Sequence, residues 1–240
     1  MKAVITFHSI EDDRSVISYP KAAFRDFVET LVASPLPCLD LDELLNPDTD
    51  SGIALTFDDG MRSVYENALP ILKEHTVPAH VFLTSSVVGK TNEWPGNPPI
   101  APKYPMMDWD QIEACHRAGI HIDAHTSNHP DLRRLDKGGL RQECELSDQL
   151  IEERLGRRPK YFAYPYGLSD AKVRTYMRGR YAASFTTELR NLSQDDDKAA
   201  LPRLDSYFLQ SPLTYRRLGA KSTQIYLRLR NLIRIFRGQH

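Results

Sequence analysis

Short strand-like runs, most of them largely apolar, recur along this chain, and most are separated by segments of helical periodicity. Residues 3–7, 53–57, 79–83, 120–124, 161–164 and 182–185 read as strands. Strand-like and helix-like runs alternate, which argues for parallel strands with helices outside. The intervening segments supply the helices. Pro20 opens one through about Ala33, with Phe24, Phe27, Val28 and Leu31 on one face. Residues 64–74 read as helical, with Pro70 forcing a break. Asp108 and Gln111 have capping-box spacing, and Gly119 suits the end of that helix. A long helix over 138–155 stops at Gly156, and another begins near Ser169. This rhythm predicts an α/β fold.

A chain of 240 residues can bury one large core, and neither a linker nor an internal repeat divides it. The net charge of -1 gives no general basicity that would point to nucleic acid. Three cysteines, Cys38, Cys115 and Cys144, form no Cys-x-x-Cys pair, which fits a reducing compartment. The N-terminus lacks the apolar stretch of a signal peptide and meets Glu11-Asp12-Asp13-Arg14 early. No run approaches the roughly 20 apolar residues of a membrane span. A cytoplasmic location is therefore expected. After Asp205 the chain carries no acidic residue but several arginines. From Ile225 a helix would align Ile225, Leu229, Leu232, Ile233 and Phe236 in one stripe, across from Arg230, Arg234 and Arg237. Such a helix either lies on an anionic membrane surface or packs on the main domain with its arginines in solvent.

Two motifs carry the chemistry. Asp58-Asp59-Gly60 closes the strand 53–57, and His125 and His129 follow the strand 120–124. One carboxylate and two imidazoles can hold a divalent ion and leave a coordination position open, as catalytic zinc sites do. A second, adjacent carboxylate can then serve as a base, because successive side chains diverge. The alternative is that the aspartates cap a following helix and the histidines are structural. Both motifs follow strand ends, the face at which α/β barrels build their sites. The segment Phe162-Ala163-Tyr164-Pro165-Tyr166-Gly167 offers an aromatic wall and a backbone N–H for an oxyanion, or simply a strand and a turn. The loop 85–107, with Pro95, Pro98, Pro99, Pro102 and Pro105, either walls a groove or is a surface insertion.

Thr56-Phe57-Asp58-Asp59-Gly60, His125-Thr126-Ser127-Asn128-His129-Pro130 and Phe162 to Gly167 resemble, in order, the three motifs of the polysaccharide deacetylase family, which shares the NodB homology domain. The resemblance spans roughly residues 1–205. It implies a distorted (β/α)7, TIM-like barrel over 1–213, with 214–240 as a basic amphipathic tail. It implies a metal-dependent hydrolase that removes N-acetyl groups from an amino-sugar glycan or its lipid-linked precursor. In that reading Asp58 is the base, Asp59, His125 and His129 bind the metal, and the Tyr166 N–H stabilises the oxyanion. Zinc is the first expectation, with cobalt, nickel, iron and manganese suited to the same donors. The partners are then an N-acetylated sugar and, through the tail, the inner face of a membrane, with no nucleic acid.

Two positions depart from the family pattern. Ala163 stands where many members carry an arginine that orients the catalytic aspartate, and no histidine lies between His129 and His240 to act as late general acid. Phe7-His8 and Pro202-Arg203 are similar to the branch acting on poly-N-acetylglucosamine. His8 is expected either to reach the site as an acid or substrate contact or to be a buried core residue. The missing histidine implies weaker activity than in complete members. The alternatives are a deformylase or cyclic-amide hydrolase on the same barrel, or a glycan-binding homologue with little catalysis.

Overall fold

The computed structural model describes residues 1–13, 15–97 and 102–236, without the side chains of 235 and 236. Arg14, Pro98, Pro99, Arg237 and His240, and the Phe236 side chain, lie outside the described residues. Seven parallel strands form one sheet: β1 (Lys2–Phe7), β2 (Gly52–Asp59), β3 (Ala79–Leu83), β4 (His121–Ala124), β5 (Tyr161–Ala163), β6 (Ala183–Phe185) and β7 (Leu204–Asp205). Their spatial order is β6-β5-β4-β3-β2-β1-β7. The sheet curls into a distorted barrel. Leu201 bridges Phe185 on one edge, and three residues later Leu204 pairs with Ile5 on the other. One short segment thus joins both edges. With only two residues, β7 is too short to register as a periodic run in the sequence.

Strand parity divides the core. Ile5, Phe7, Leu55, Phe57, Val81 and Leu83 face outward into the largest apolar cluster, under the helices. Val4, Ala54, Phe82, Ala163 and Phe185 face inward and fill the barrel. Residue 58 has the inward parity of β2.

Among the described residues, eight helices surround or cap the sheet: α1 (Lys21–Val32), α2 (Leu41–Leu44), α3 (Leu69–Glu74), α4 (Trp109–Arg117), α5 (Lys137–Leu155), α6 (Ala171–Arg178), α7 (Pro212–Tyr215) and α8 (Lys221–Phe236). Asp108 and Gln111 form the anticipated capping box, and Gly156 ends α5 at φ 69°. Pro70 does not simply break its helix. A π turn over Val64–Ala68, with the Leu69 N–H bonded to the Val64 carbonyl, precedes α3, so Pro70 falls in the first turn, where its missing donor costs nothing.

The final helix differs from both sequence expectations for its arginines. Leu218 and Leu227 join the core, and Arg230 and Arg234 turn onto the barrel, their guanidiniums 5.1 and 5.9 Å from the Phe208 ring. Cation–π contact makes this burial favourable. The apolar residues Ile225, Leu229, Leu232 and Ile233 point outward and are 43–57% exposed. No helix among the described residues is long and apolar enough to cross a membrane.

Gly167 tests how tightly the turn after β5 is built. It has φ +71°, and a Cβ there would lie 2.1 Å from Thr187 Oγ1 and 2.7 Å from the Thr187 nitrogen. Gly156 has φ +69° with open space around it. Gly156→Ala should therefore cost only the left-handed penalty of about 1 kcal/mol. Gly167→Ala should cost at least about twice that, because backbone must also move. Urea denaturation midpoints of the two variants check the order.

Candidate active site

Both carboxylates of Asp58-Asp59 lie at the carboxyl end of β2, and they face different ways. Asp58 keeps the inward parity of its strand. Its carboxylate meets Arg203 in a two-pronged ion pair, 2.6 Å on each oxygen. Arg203 is fully buried, donates through Nε to the Thr186 carbonyl at 3.0 Å, and lies over the Phe82 ring. Burial alone would raise the Asp58 carboxyl, but the Arg203 charge and hydrogen bonds outweigh it and hold the group below its ordinary range. Asp58 is therefore an oriented carboxylate. Its partner comes from residue 203, not from the position of Ala163, and Pro202-Arg203 was its one trace in the sequence.

Asp59 would face the helix layer if the strand continued. Its φ of 70° turns it instead toward the barrel mouth, and Gly60 follows at φ 90°. Thr126 (φ 69°), His129 (φ 56°) and Tyr166 (φ 60°) share this left-handed conformation. Four of the five such non-glycine residues among those described thus belong to the three motif segments. Strain concentrated in this way marks a functional site.

The donor atoms of Asp59, His125 and His129 lie within 4.8 Å of one another. Asp59 Oδ1 is 3.4 Å from His125 Nε2 and 3.5 Å from His129 Nε2. Those distances are long for charge-assisted hydrogen bonds. They approximate the edge of about 3.3 Å expected between ligands held tetrahedrally at 2.0–2.1 Å from one ion. The Asp59 oxygen is buried with no hydrogen-bond partner. His125 donates through Nδ1 to the Ala163 carbonyl at 2.8 Å, which fixes the tautomer and leaves the Nε2 lone pair facing Asp59. Burial pulls the His129 pKa down to about 3, against the Asp59 charge, so its ring is neutral. Burial pushes Asp59 up, yet the imidazoles of His125 and His129 beside it hold it well below the carboxylate range. An anionic oxygen without a hydrogen-bond partner, with two imidazole nitrogens converging on it, fits a divalent cation.

His8 follows β1, half-buried, with no hydrogen-bond partner for its ring among the described residues. It is not a satisfied core histidine, and its charge when protonated lowers both Asp58 and Asp59. Tyr166 is 40% exposed at the mouth, its ring edge-on to His129 at 4.5 Å. Trp94, which the sequence did not single out, lies against His129 with ring centroids 4.2 Å apart. The described part of the loop 85–107 is thus a wall of the site, built on a small core of Met61, Val87, Trp94, Tyr104 and Met106.

Residues 46–180, more than half of the chain, match the family profile described as polysaccharide deacetylase. A Staphylococcus epidermidis poly-beta-1,6-N-acetyl-D-glucosamine N-deacetylase is 25% identical over 163 residues, covering 62% of this chain and 53% of that protein. The chain thus aligns with about half the length of this relative. IcaB from Ammonifex degensii superposes with a TM-score of 0.72 at 22% identity, covering 92% of this chain and 96% of that one. The Streptococcus pyogenes deacetylase PplD, solved with acetate, has a TM-score of 0.73 at 20% identity, covering 85% and 91%. These two likenesses establish the barrel.

Removing one partner of the Asp58–Arg203 pair leaves the other charged and buried. Arg203→Met should destabilise the fold by about 3–5 kcal/mol at pH 7. Because the folded Asp58 pKa is depressed, the pair's contribution is present above about pH 3.9, the unfolded value, and fades as pH falls through the folded one. The difference between wild type and variant in chemical denaturation should therefore be full at neutral pH and shrink in acid.

Proposed function

This chain belongs to the polysaccharide deacetylase family, and from that premise we propose that it is a divalent-metal-dependent N-deacetylase of an amino-sugar glycan or its lipid-linked precursor. What carries the reading is the division of labour between adjacent aspartates: Asp59 faces two histidines, and Asp58 is gripped by Arg203. Asp59, His125 and His129 would hold the ion. When bound, a divalent cation there supplies Lewis-acid chemistry, polarising an acyl oxygen and acidifying water. Zinc suits the donor set best.

The chain's own residues do the rest. Asp58, kept ionised and fixed in orientation by Arg203, accepts the proton of the water that attacks the acetamide carbonyl. The Tyr166 N–H donates to the developing oxyanion. His8 hands a proton to the leaving amine nitrogen, the task otherwise lacking a residue. Trp94 and Tyr166 wall the mouth and limit water, and the exposed Tyr166 offers an aromatic face to a sugar ring. The amide C–N bond breaks to give acetate and a free amine.

The exposed stripe of Ile225, Leu229, Leu232 and Ile233 supports peripheral contact with a membrane. In this reading residues 1–213 are the catalytic barrel and 214–240 the membrane-facing appendage of a cytoplasmic enzyme.

Asp58→Asn should retain metal and lower acetate release from an N-acetylglucosamine oligomer by about 10²–10⁴-fold. Turnover near wild type would remove Asp58 from the mechanism. His125→Ala should lose stoichiometric metal by elemental analysis together with activity. For the membrane, Leu229→Glu combined with Leu232→Glu should abolish co-sedimentation with anionic phospholipid vesicles while leaving acetate release from the soluble oligomer intact. Equal sedimentation of wild type and variant would refute the contact.

A further inference from the structure

Next to the site lies a separate cavity of about 530 Å³. Its walls include Arg133, Ser169, Arg174, Thr187, Arg190 and Arg234. Sequence ties it to the same mouth. Gly167, also in the wall, directly follows Tyr166, and Arg133 comes four residues after His129.

The charges around it are unequally committed. Glu188 and Asp197 also line the cavity. Glu188 pairs with Arg190, which also takes Asp196. Asp197 pairs with Arg178, and Asp131 with Arg133. Arg174 and Arg234 have no carboxylate within salt-bridge distance among the described residues. Arg174 donates through Nε to Ser169 Oγ at 2.9 Å, and Arg234 donates to the Thr187 carbonyl at 3.1 Å. Both are half-buried. Asn231 accepts the Leu189 N–H at 3.4 Å through its side-chain oxygen, leaving its amide protons for the cavity. Two partly desolvated guanidiniums with no acid in salt-bridge contact among the described residues, beside hydroxyl and amide donors, are a mismatch that an anion would relieve. Forked, planar donors match the paired oxygens of a phosphate or a carboxylate.

We propose that this cavity is the subsite for a phosphate group carried by the substrate. The enzyme then acts on an N-acetylated amino sugar bearing a phosphate ester or diphosphate, rather than on a neutral stretch of glycan. This rests on the N-deacetylase reading for the reaction but not for the binding. Arg174 from α6 and Arg234 from α8 grip the phosphate, and the acetamide of the attached sugar reaches the Asp58 side of the mouth.

Calorimetric titration of the full chain with inorganic pyrophosphate tests the subsite. Binding should weaken at least tenfold in Arg174→Gln and in Arg234→Gln, and less in Arg174→Lys. Any pyrophosphate held by a metal is common to all of them. Because Arg234 also fastens α8, Arg174→Gln carries the test if the other variant fails to fold. Affinity that is absent, or equal in wild type and Arg174→Gln, overturns the proposal. Competition by phosphatidylglycerol vesicles in place of a sugar phosphate would assign the subsite to a lipid headgroup and overturn it as a substrate contact. Acetate release should favour a diphosphate-terminated oligomer over a neutral one through KM, a preference lost in Arg174→Gln. Release without that preference refutes the subsite and spares the deacetylase. Pyrophosphate binding lost in Arg174→Gln, with no acetate released from either oligomer, supports the subsite and refutes the reaction.

Discussion

The ion pair between Asp58 and Arg203 joins the architecture to the chemistry. Arg203 lies between Leu201, which bridges β6, and Leu204, which pairs with β1. Its backbone N–H bonds the Glu188 carbonyl, its Nε bonds Thr186, and its fork grips the end of β2. The residue that orients the carboxylate is therefore also the residue at which the barrel's edges meet. Ion pairs this deeply buried add little net stability, since desolvating two charges nearly cancels their attraction. What this one supplies is position. An apolar substitute could fill the barrel, but it could not fix both oxygens of Asp58.

The other side of the site is set by backbone conformation. The strand period would send residues 58 and 59 to opposite faces, one into the barrel and one under the helices. The left-handed turn at Asp59 lets both serve the same mouth while pointing apart. Thr126 and His129 do the same for the second segment, where the His129 N–H bonds Thr126 Oγ1 at 2.9 Å. A relaxed backbone would put the histidines elsewhere. The surrounding sheet, paired on both sides at β2 and β4, is rigid enough to impose these conformations.

How much of this could be read in advance follows from the range of each interaction. Strands buried on both faces, the Asp108–Gln111 cap and the Gly156 stop are local signals, and each appears where the residues predict it. The motif pairs were legible because their members are close in sequence and end strands. Arg203 was visible only as a Pro-Arg dipeptide, since its partner is 145 residues away. Trp94 sits in a proline-rich loop with no periodicity to orient it. The barrel floor was equally hidden. His80 contacts Asp123 at 2.8 Å through Nδ1 and accepts the Leu41 N–H through Nε2, a network assembled from three distant segments.

The final helix shows why amphipathicity alone does not fix which face turns inward. Burying Ile225, Leu229 and Leu232 would be the default. Here Phe208 offers a ring face to Arg230, which Tyr226 of the same helix also flanks, and the Thr187 carbonyl accepts from Arg234, so the arginines have better partners on the barrel than in water. Leu227 on the same inward side supplies the apolar contact. One orientation of one helix thus does two things. It delivers a cation to the cavity beside the mouth, and it leaves a row of aliphatic side chains facing away from the protein. The proposed substrate, an amino sugar joined through phosphate to a lipid, would give both features a use.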